Sequence, residues 1–219
     1  MRICTIIPAY NEVKTIGYIV EELKKRNFDV LVIDDGSRDQ TAKIAKEKGA
    51  TVITNEKNVG KGASLRCGFD YVINKDYDGF IVMDGDGQHD IENISDFLSH
   101  VQKTGAKIIV GNRMFSAKNM PFLRWLTNKT MSWFISAICK QYIPDSQCGY
   151  RYISKDLLLA MELSTSNFEI ETEVLIEASK KGYRIYHIPV KTIYQYHKSR
   201  INPFLDTFRF FRFIFRKKR

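Results

Sequence analysis

The stretch Gly79-Phe80-Ile81-Val82-Met83-Asp84-Gly85-Asp86-Gly87-Gln88-His89 runs an unbroken apolar segment straight into an oxygen-rich cluster. A short apolar run without alternation suits a strand covered on both faces, as in a parallel sheet. Its polar end then lies where open α/β sheets bind ligands, outside the carboxyl ends of the strands. The same pattern recurs upstream. Cys4-Thr5-Ile6-Ile7 leads into Pro8-Ala9-Tyr10-Asn11-Glu12, and Val30-Leu31-Val32-Ile33 leads into Asp34-Asp35-Gly36-Ser37. Thr51-Val52-Ile53-Thr54 and Lys107-Ile108-Ile109-Val110 are further strand-like runs. Helical periodicity fills the gaps at about 14–26, 39–48, 60–74 and 91–104, the last with Ile94, Phe97, Leu98 and Val101 at i, i+3, i+4, i+7. The expected fold is α/β, a largely parallel central sheet with helices on both faces, and three polar clusters facing one crevice.

The second half is less regular. Residues 122–139 read as an apolar, aromatic helix interrupted by Arg124 and Lys129, and 168–181 as another. Arg184 to Tyr196 reads as a strand broken at Pro189. No repeat or low-complexity linker divides the chain, so one domain is expected over 1–196, followed by a basic, aromatic segment at 197–219.

Composition excludes several classes. With 219 residues, 44% hydrophobic and 27% charged, the chain is of ordinary globular make-up, not disordered. Cys4, Cys67, Cys139 and Cys148 are scattered with no CxxC pair, which is reduced, cytosolic usage and not a zinc site. No run approaches the length of a membrane span. The net charge of +9 is local: residues 197–219 hold eight Lys/Arg against Asp206, leaving +2 for the other 196 residues. In that segment Arg209, Arg212 and Arg216 share one helical face, and Phe204, Phe208, Phe211 and Phe215 the other. Such a helix suits a membrane surface holding anionic lipid; packing on the domain or on a second subunit is the rival. No recognition module accompanies the charge, so nucleic acid is not an expected partner.

Two carboxylates flanking one glycine, Asp84 and Asp86, can face a single point, where they repel unless neutralised. Mg²⁺ or Mn²⁺ is the natural neutraliser; a solvated acidic turn is the plain alternative. An EF-hand is excluded, because Ser95 stands where its twelfth-position glutamate would be. Asp34-Asp35-Gly36-Ser37 fits either a ribose or base contact or simple turn and cap chemistry with Asp39. Asn58-Val59-Gly60-Lys61-Gly62 lacks the spacing of a Walker loop, and its glycines read as close packing at a helix start.

These motifs in this order, with Gly111-Asn112-Arg113 and Cys148-Gly149-Tyr150-Arg151 after them, resemble family 2 glycosyltransferases over roughly residues 3–190. Within that family the likeness is to the dolichyl-phosphate mannose synthase branch and its bacterial polyprenyl-phosphate relatives. The resemblance implies a glycosyltransferase A fold, a nucleotide-sugar donor such as GDP-mannose or a UDP-sugar, and inversion at the anomeric carbon. It places Pro8, Tyr10, Glu12, Asp35 and Asp84 against the donor nucleotide. Asp84, Asp86 and Gln88 match the metal motif, with Asp86 and Gln88 favoured as direct ligands of Mg²⁺ or Mn²⁺. Arg113 matches an arginine that meets the acceptor phosphate, Arg124 a second one, and Asn128 stands where the branch has a serine. Glu171 matches a glutamate before the last core strand, so that Asp86, Arg113 and Glu171 are the expected catalytic set. The branch's arginine–glycine–serine–lysine loop is replaced here by Tyr196 to Pro203, which offers Lys198 and Arg200 as a diphosphate clamp.

The implied acceptor is a polyprenyl phosphate, which needs positioning and no general base. A glycan hydroxyl would instead need a carboxylate to take its proton, for which Asp145 and Glu171 are the candidates. A non-catalytic nucleotide-sugar-binding module is the remaining alternative. The implied location is cytoplasmic, peripheral at the inner face of the membrane.

Overall fold

A computed structural model describes residues 1–115 and 120–193. Its elements run β1 Ile3–Ala9, α1 Ile16–Lys25, β2 Asp29–Asp34, α2 Thr41–Glu47, β3 Thr51–Thr54, α3 Lys61–Ile73, β4 Gly79–Val82, α4 Asn93–Thr104, β5 Ile108–Asn112, α5 Phe122–Cys139, β6 Arg151–Ser154, α6 Lys155–Ala160, α7 Glu169–Lys180 and β7 Ile185–Pro189. All seven residues of β1 are buried, which requires cover on both faces of the sheet. Ile6, Ile7, Leu31, Ile33, Phe80 and Ile81 are fully enclosed at its centre; each such side chain contributes about 1.5–3 kcal/mol of hydrophobic stabilisation.

The seven strands form one sheet in the order β3-β2-β1-β4-β6-β5-β7. β1 is parallel to β2 and β4, β2 to β3, and β5 to β7. β6 alone runs antiparallel, between β4 and β5. The sheet is therefore mixed and mostly parallel. The sequence reading contains neither β6 nor α6. β6 is only four residues long and begins with a charged residue, Arg151, and α6 has six residues, too few for a periodicity to show. Because β6 points the opposite way, it delivers the loop before it, Asp145–Tyr150, to the same sheet edge as the carboxyl ends of β1, β2, β4 and β5.

The last strand, β7, stops at the expected break, Pro189, and residues 194–196 lie outside the described residues. Val190 N–H then donates to Asn112 O (3.2 Å), Thr192 bridges to His89, and Ile193 N–H donates to Gln88 O (3.0 Å), so the chain crosses the Asp84–His89 loop. The segment 197–219, with its paired Arg and Phe faces, lies outside the described residues, as do Lys198 and Arg200. No helix among the described residues is long and apolar enough to cross a membrane.

Candidate active site

The loops after β1 and β2 are knitted together by the backbone. Asn11 takes a left-handed conformation (φ 54°) and donates its N–H to Ser37 Oγ (2.8 Å), while its Oδ1 accepts from Arg38 N–H (2.7 Å). Glu12 N–H donates to Thr41 Oγ1 (2.8 Å), and Asp35 N–H to Ala9 O (2.8 Å). Pro8, Tyr10, Glu12 and Asp35 are thus brought to adjacent strand ends. The Asp35 carboxylate, however, is engaged within the chain. It accepts from Val59 N–H, Gly60 N–H and Asn55 Nδ2, each at 2.9 Å, and so caps the approach to α3. Gly36 (φ 71°) permits this, since a Cβ there would lie 2.5 Å from the Lys57 carbonyl carbon.

Asp84 and Asp86 leave β4 in different surroundings. Asp86 Oδ1 accepts from Gln88 N–H (2.9 Å), which closes a tight turn after β4. Asp84 Oδ1 lies 2.5 Å from Lys61 Nζ, and its Oδ2 lies 3.4 Å from His89 Nε2. Lys61 Nζ also meets Glu171 Oε1 at 2.6 Å, with both side chains nearly buried. Burial alone would raise the Asp84 pKa, but the Lys61 ammonium, aided by His89, overrides it and holds the carboxyl well below the usual range. The same pairing reverses the effect of burial on Lys61 and keeps its ammonium above its ordinary value. Gly149 closes over this trio: a Cβ there would stand 2.8 Å from Asp84 Oδ2 and 3.0 Å from both Glu171 Oε1 and Lys61 Nζ. Gly149→Ala is therefore expected to part the trio and to lower donor turnover at least about tenfold, with about 1–3 kcal/mol of stability lost. Steady-state rates with an unfolding titration check it.

Sequence reasoning missed Lys61. A signal was available: a cation at a helix N-terminus opposes the helix dipole and implies a carboxylate elsewhere to hold it. The packing role read for Gly60 and Gly62 is what the structure has, since added Cβ atoms would lie 2.4 Å from Ser166 O and 2.7 Å from Asn167 O.

Arg113 follows β5 and makes a two-pronged pair with Asp145, Nε to Oδ2 at 2.8 Å and Nη2 to Oδ1 at 2.9 Å, while its own N–H donates to Oδ2 (3.1 Å). Asp145 is fully buried, and although burial raises its pKa, the guanidinium lowers it further than burial lifts it. Arg151, also buried, donates to Ser146 O (2.9 Å), Cys148 O (2.8 Å) and Glu171 O (2.5 Å). It ties the Asp145 loop to the start of α7. On α5, Asn128 is buried with its Nδ2 3.9 Å from Met120 Sδ, and Arg124 is half-buried one turn earlier. The opposite face of α5 exposes Phe122, Leu126 and Trp133, and Lys129 lies over the Trp125 ring at 4.7 Å.

Among the described residues no group of three or more His, Cys, Asp or Glu is arranged to hold a metal ion. Asp86 and Gln88 offer hard oxygen donors, the type that Mg²⁺ and Mn²⁺ prefer alongside substrate phosphates. A concavity of about 430 Å³ lies behind this loop, walled by Tyr18, Arg26, His89 and Ile193. It is not the crevice at the strand ends, where the polar clusters converge.

A model of glycosyl transferase family 2 matches residues 4–158, which spans β1 through most of α6. The chain belongs to that family. It is a glycosyltransferase on a glycosyltransferase A-like fold. A UDP-N-acetylglucosamine–dolichyl-phosphate N-acetylglucosaminyltransferase of Methanococcus voltae is 32% identical over 212 residues, covering 86% of this chain and 84% of the relative. A polyprenol monophosphomannose synthase of Mycolicibacterium smegmatis is 28% identical over 203 residues, covering 86% and 76%. Among solved structures, glucosyl-3-phosphoglycerate synthase from Mycobacterium tuberculosis, in complex with Mn²⁺, UDP and phosphoglyceric acid, superposes with a TM-score of 0.72 at 19% identity, over 94% of this chain and 73% of that one. At that identity the likeness is one of fold.

Proposed function

We propose that the enzyme moves a sugar from a nucleoside-diphosphate sugar to a polyprenyl phosphate, with inversion at the anomeric carbon. One observation carries this reading. Both carboxylates named above as candidate bases for a hydroxyl acceptor are held by buried cations, Asp145 by Arg113 and Glu171 by Lys61. Each of these carboxylates is occupied by its cation, and the guanidinium holds the Asp145 carboxyl below the usual range, which makes it a weaker base. A phosphate monoester, with a second pKa near ~6, arrives largely as the dianion and needs no base. Its oxygen attacks the anomeric carbon as the bond to the leaving diphosphate breaks, and the nucleoside diphosphate departs with the electron pair.

The residues divide the work accordingly. Pro8, Tyr10, Glu12 and the Asp35-capped loop form the nucleoside wall. Asp86 and Gln88 would hold Mg²⁺ or Mn²⁺, which when bound stabilises charge developing on the diphosphate. Arg113 is oriented by Asp145, which engages Nε and Nη2 and leaves Nη1 for the acceptor phosphate, a charge-assisted contact. Arg124 is the second acceptor cation, and Lys198 and Arg200 supply the diphosphate clamp. The names of the M. voltae and M. smegmatis relatives support a lipid acceptor. So does α5, whose exposed Phe122, Leu126 and Trp133 with neighbouring Lys129 have the make-up of a bilayer-interface helix. Together with the basic, aromatic composition of 197–219 this supports a peripheral location at the cytoplasmic face of a membrane.

The test is a donor panel of UDP- and GDP-sugars offered to undecaprenyl or dolichyl phosphate, to the matching free polyprenol and to a glycan hydroxyl acceptor. Product is expected with the lipid phosphate alone; product only with a hydroxyl overturns the reading. Replacing Phe122, Leu126 and Trp133 by Ser should weaken binding to anionic vesicles about tenfold or more. Turnover of a short, water-soluble isoprenyl phosphate should be retained.

A further inference from the structure

The cation at the centre of the site belongs to the chain itself. Lys61 opens α3, a helix end at which a positive charge is disfavoured, yet its side chain is only 12% exposed. Its ammonium lies 2.5 Å from Asp84 Oδ1 and 2.6 Å from Glu171 Oε1, with the Phe168 ring centre 5.8 Å away. The start of α3 has no room to back off. Gly60 and Gly62 lie against the backbone of 165–167, and Ala63 N–H donates to Ser166 O at 3.0 Å. The loop before it is pinned by Asp35. A rigid element therefore delivers one positive charge between the first carboxylate of the Asp84-Gly85-Asp86 turn and the first turn of α7.

We infer that Lys61 is a positioning residue that retains Asp84 within the protein, so that the divalent cation is left to Asp86 and Gln88, and that holds Glu171 beside the same point. The inference rests on the metal-assisted reading above. Both Asp84 oxygens already face partners, Lys61 on one side and His89 on the other. Lys61 also leaves the trio with one net negative charge where the two carboxylates alone would have two. A neutral residue at 61 would free Asp84 and strengthen the pull on a divalent ion. The ion would then bind more tightly but in a displaced position, and well-placed electrostatic stabilisation of the leaving group would be lost.

The experiment titrates Mn²⁺ into the full-length chain in the presence of UDP or GDP, reading free Mn²⁺ by electron paramagnetic resonance, with transfer rates measured in parallel. Lys61→Gln, which can still donate hydrogen bonds, is expected to bind Mn²⁺ about tenfold more tightly while kcat falls about tenfold or more and donor KM changes little. The gain in affinity should vanish in Lys61→Gln/Asp84→Asn, and Lys61→Arg should keep wild-type affinity and restore part of kcat. Unchanged or weaker Mn²⁺ binding by Lys61→Gln, beside normal wild-type binding, overturns the inference and leaves the metal-assisted reading standing. Wild-type protein that binds no Mn²⁺ with either nucleotide overturns both. Should Lys61→Gln fail to fold, two single variants decide. Asp84→Asn should weaken Mn²⁺ binding at least about tenfold less than Asp86→Asn, and equal losses would make Asp84 a ligand and overturn the inference.

Discussion

Asp86→Asn is expected to reduce transfer about 10³-fold or more while leaving the fold intact. The fold survives because an asparagine carbonyl can still accept the 2.9 Å bond from Gln88 N–H that shapes the turn. Transfer does not, because the neutral amide removes the anionic donor that, with Gln88, would hold the divalent ion. Asp84 offers no substitute while Lys61 is against it. Initial rates and a thermal melt measured together check both halves. Full activity in this variant, or in wild-type enzyme with excess EDTA, would remove the metal from the mechanism.

Arg113→Ala is expected to damage the fold as well as the chemistry. Asp145 is completely buried, and losing the guanidinium strands its charge at a cost of about 3–5 kcal/mol. For a chain of this size that is a fall in Tm on the order of 10 °C. Lost transfer in this single variant therefore says little about the acceptor. Arg113→Ala/Asp145→Ala removes both charges and should recover much of the stability, yet transfer to a phosphate acceptor should stay down about a hundredfold. Recovered transfer in the double variant would make the pair purely structural. The pH dependence has a definite sign. In the wild type the folded Asp145 pKa lies below its unfolded value near ~3.9, so its stabilising contribution is complete above that pH and is lost as pH falls below it. In Arg113→Ala the guanidinium no longer offsets burial, although the backbone N–H groups of residues 113 and 147 still donate, so the pKa rises from its wild-type value and Asp145 protonates earlier. The stability gap between wild type and variant should thus be widest near neutrality and close in acid, as urea unfolding at pH 7 and pH 4 would show.

Much of the architecture was legible because its signals are local. The strands through β5 are runs of apolar residues, α4 carries its 3.6-residue period openly, and 122–139 emerges as α5 with the bounds that its composition implies. The ligand-bearing edge followed as well, since parallel strands with polar ends at Pro8–Glu12, Asp34–Ser37 and Asp84–Gln88 have one place to send them. The close packing of Gly60 and Gly62 was likewise correct from sequence. β6 was not legible, because four residues starting at Arg151 carry no period. Their direction depends on the gap between β4 and β5 that they fill.

What the sequence by itself determined, then, is which chemical groups stand at which strand ends; the tertiary structure decided which of them hold one another. Asp35 stands in a segment that fits either a nucleoside contact or turn and cap chemistry, and its carboxylate caps the loop before α3. Asp145 and Glu171, the candidate bases for a hydroxyl acceptor, are found against Arg113 and Lys61. Nothing in the chain order announces these pairs, for Lys61 and Glu171 stand 110 positions apart. An ion pair at that separation exists only after the sheet has closed and buried both charges, where leaving either one alone would cost several kcal/mol.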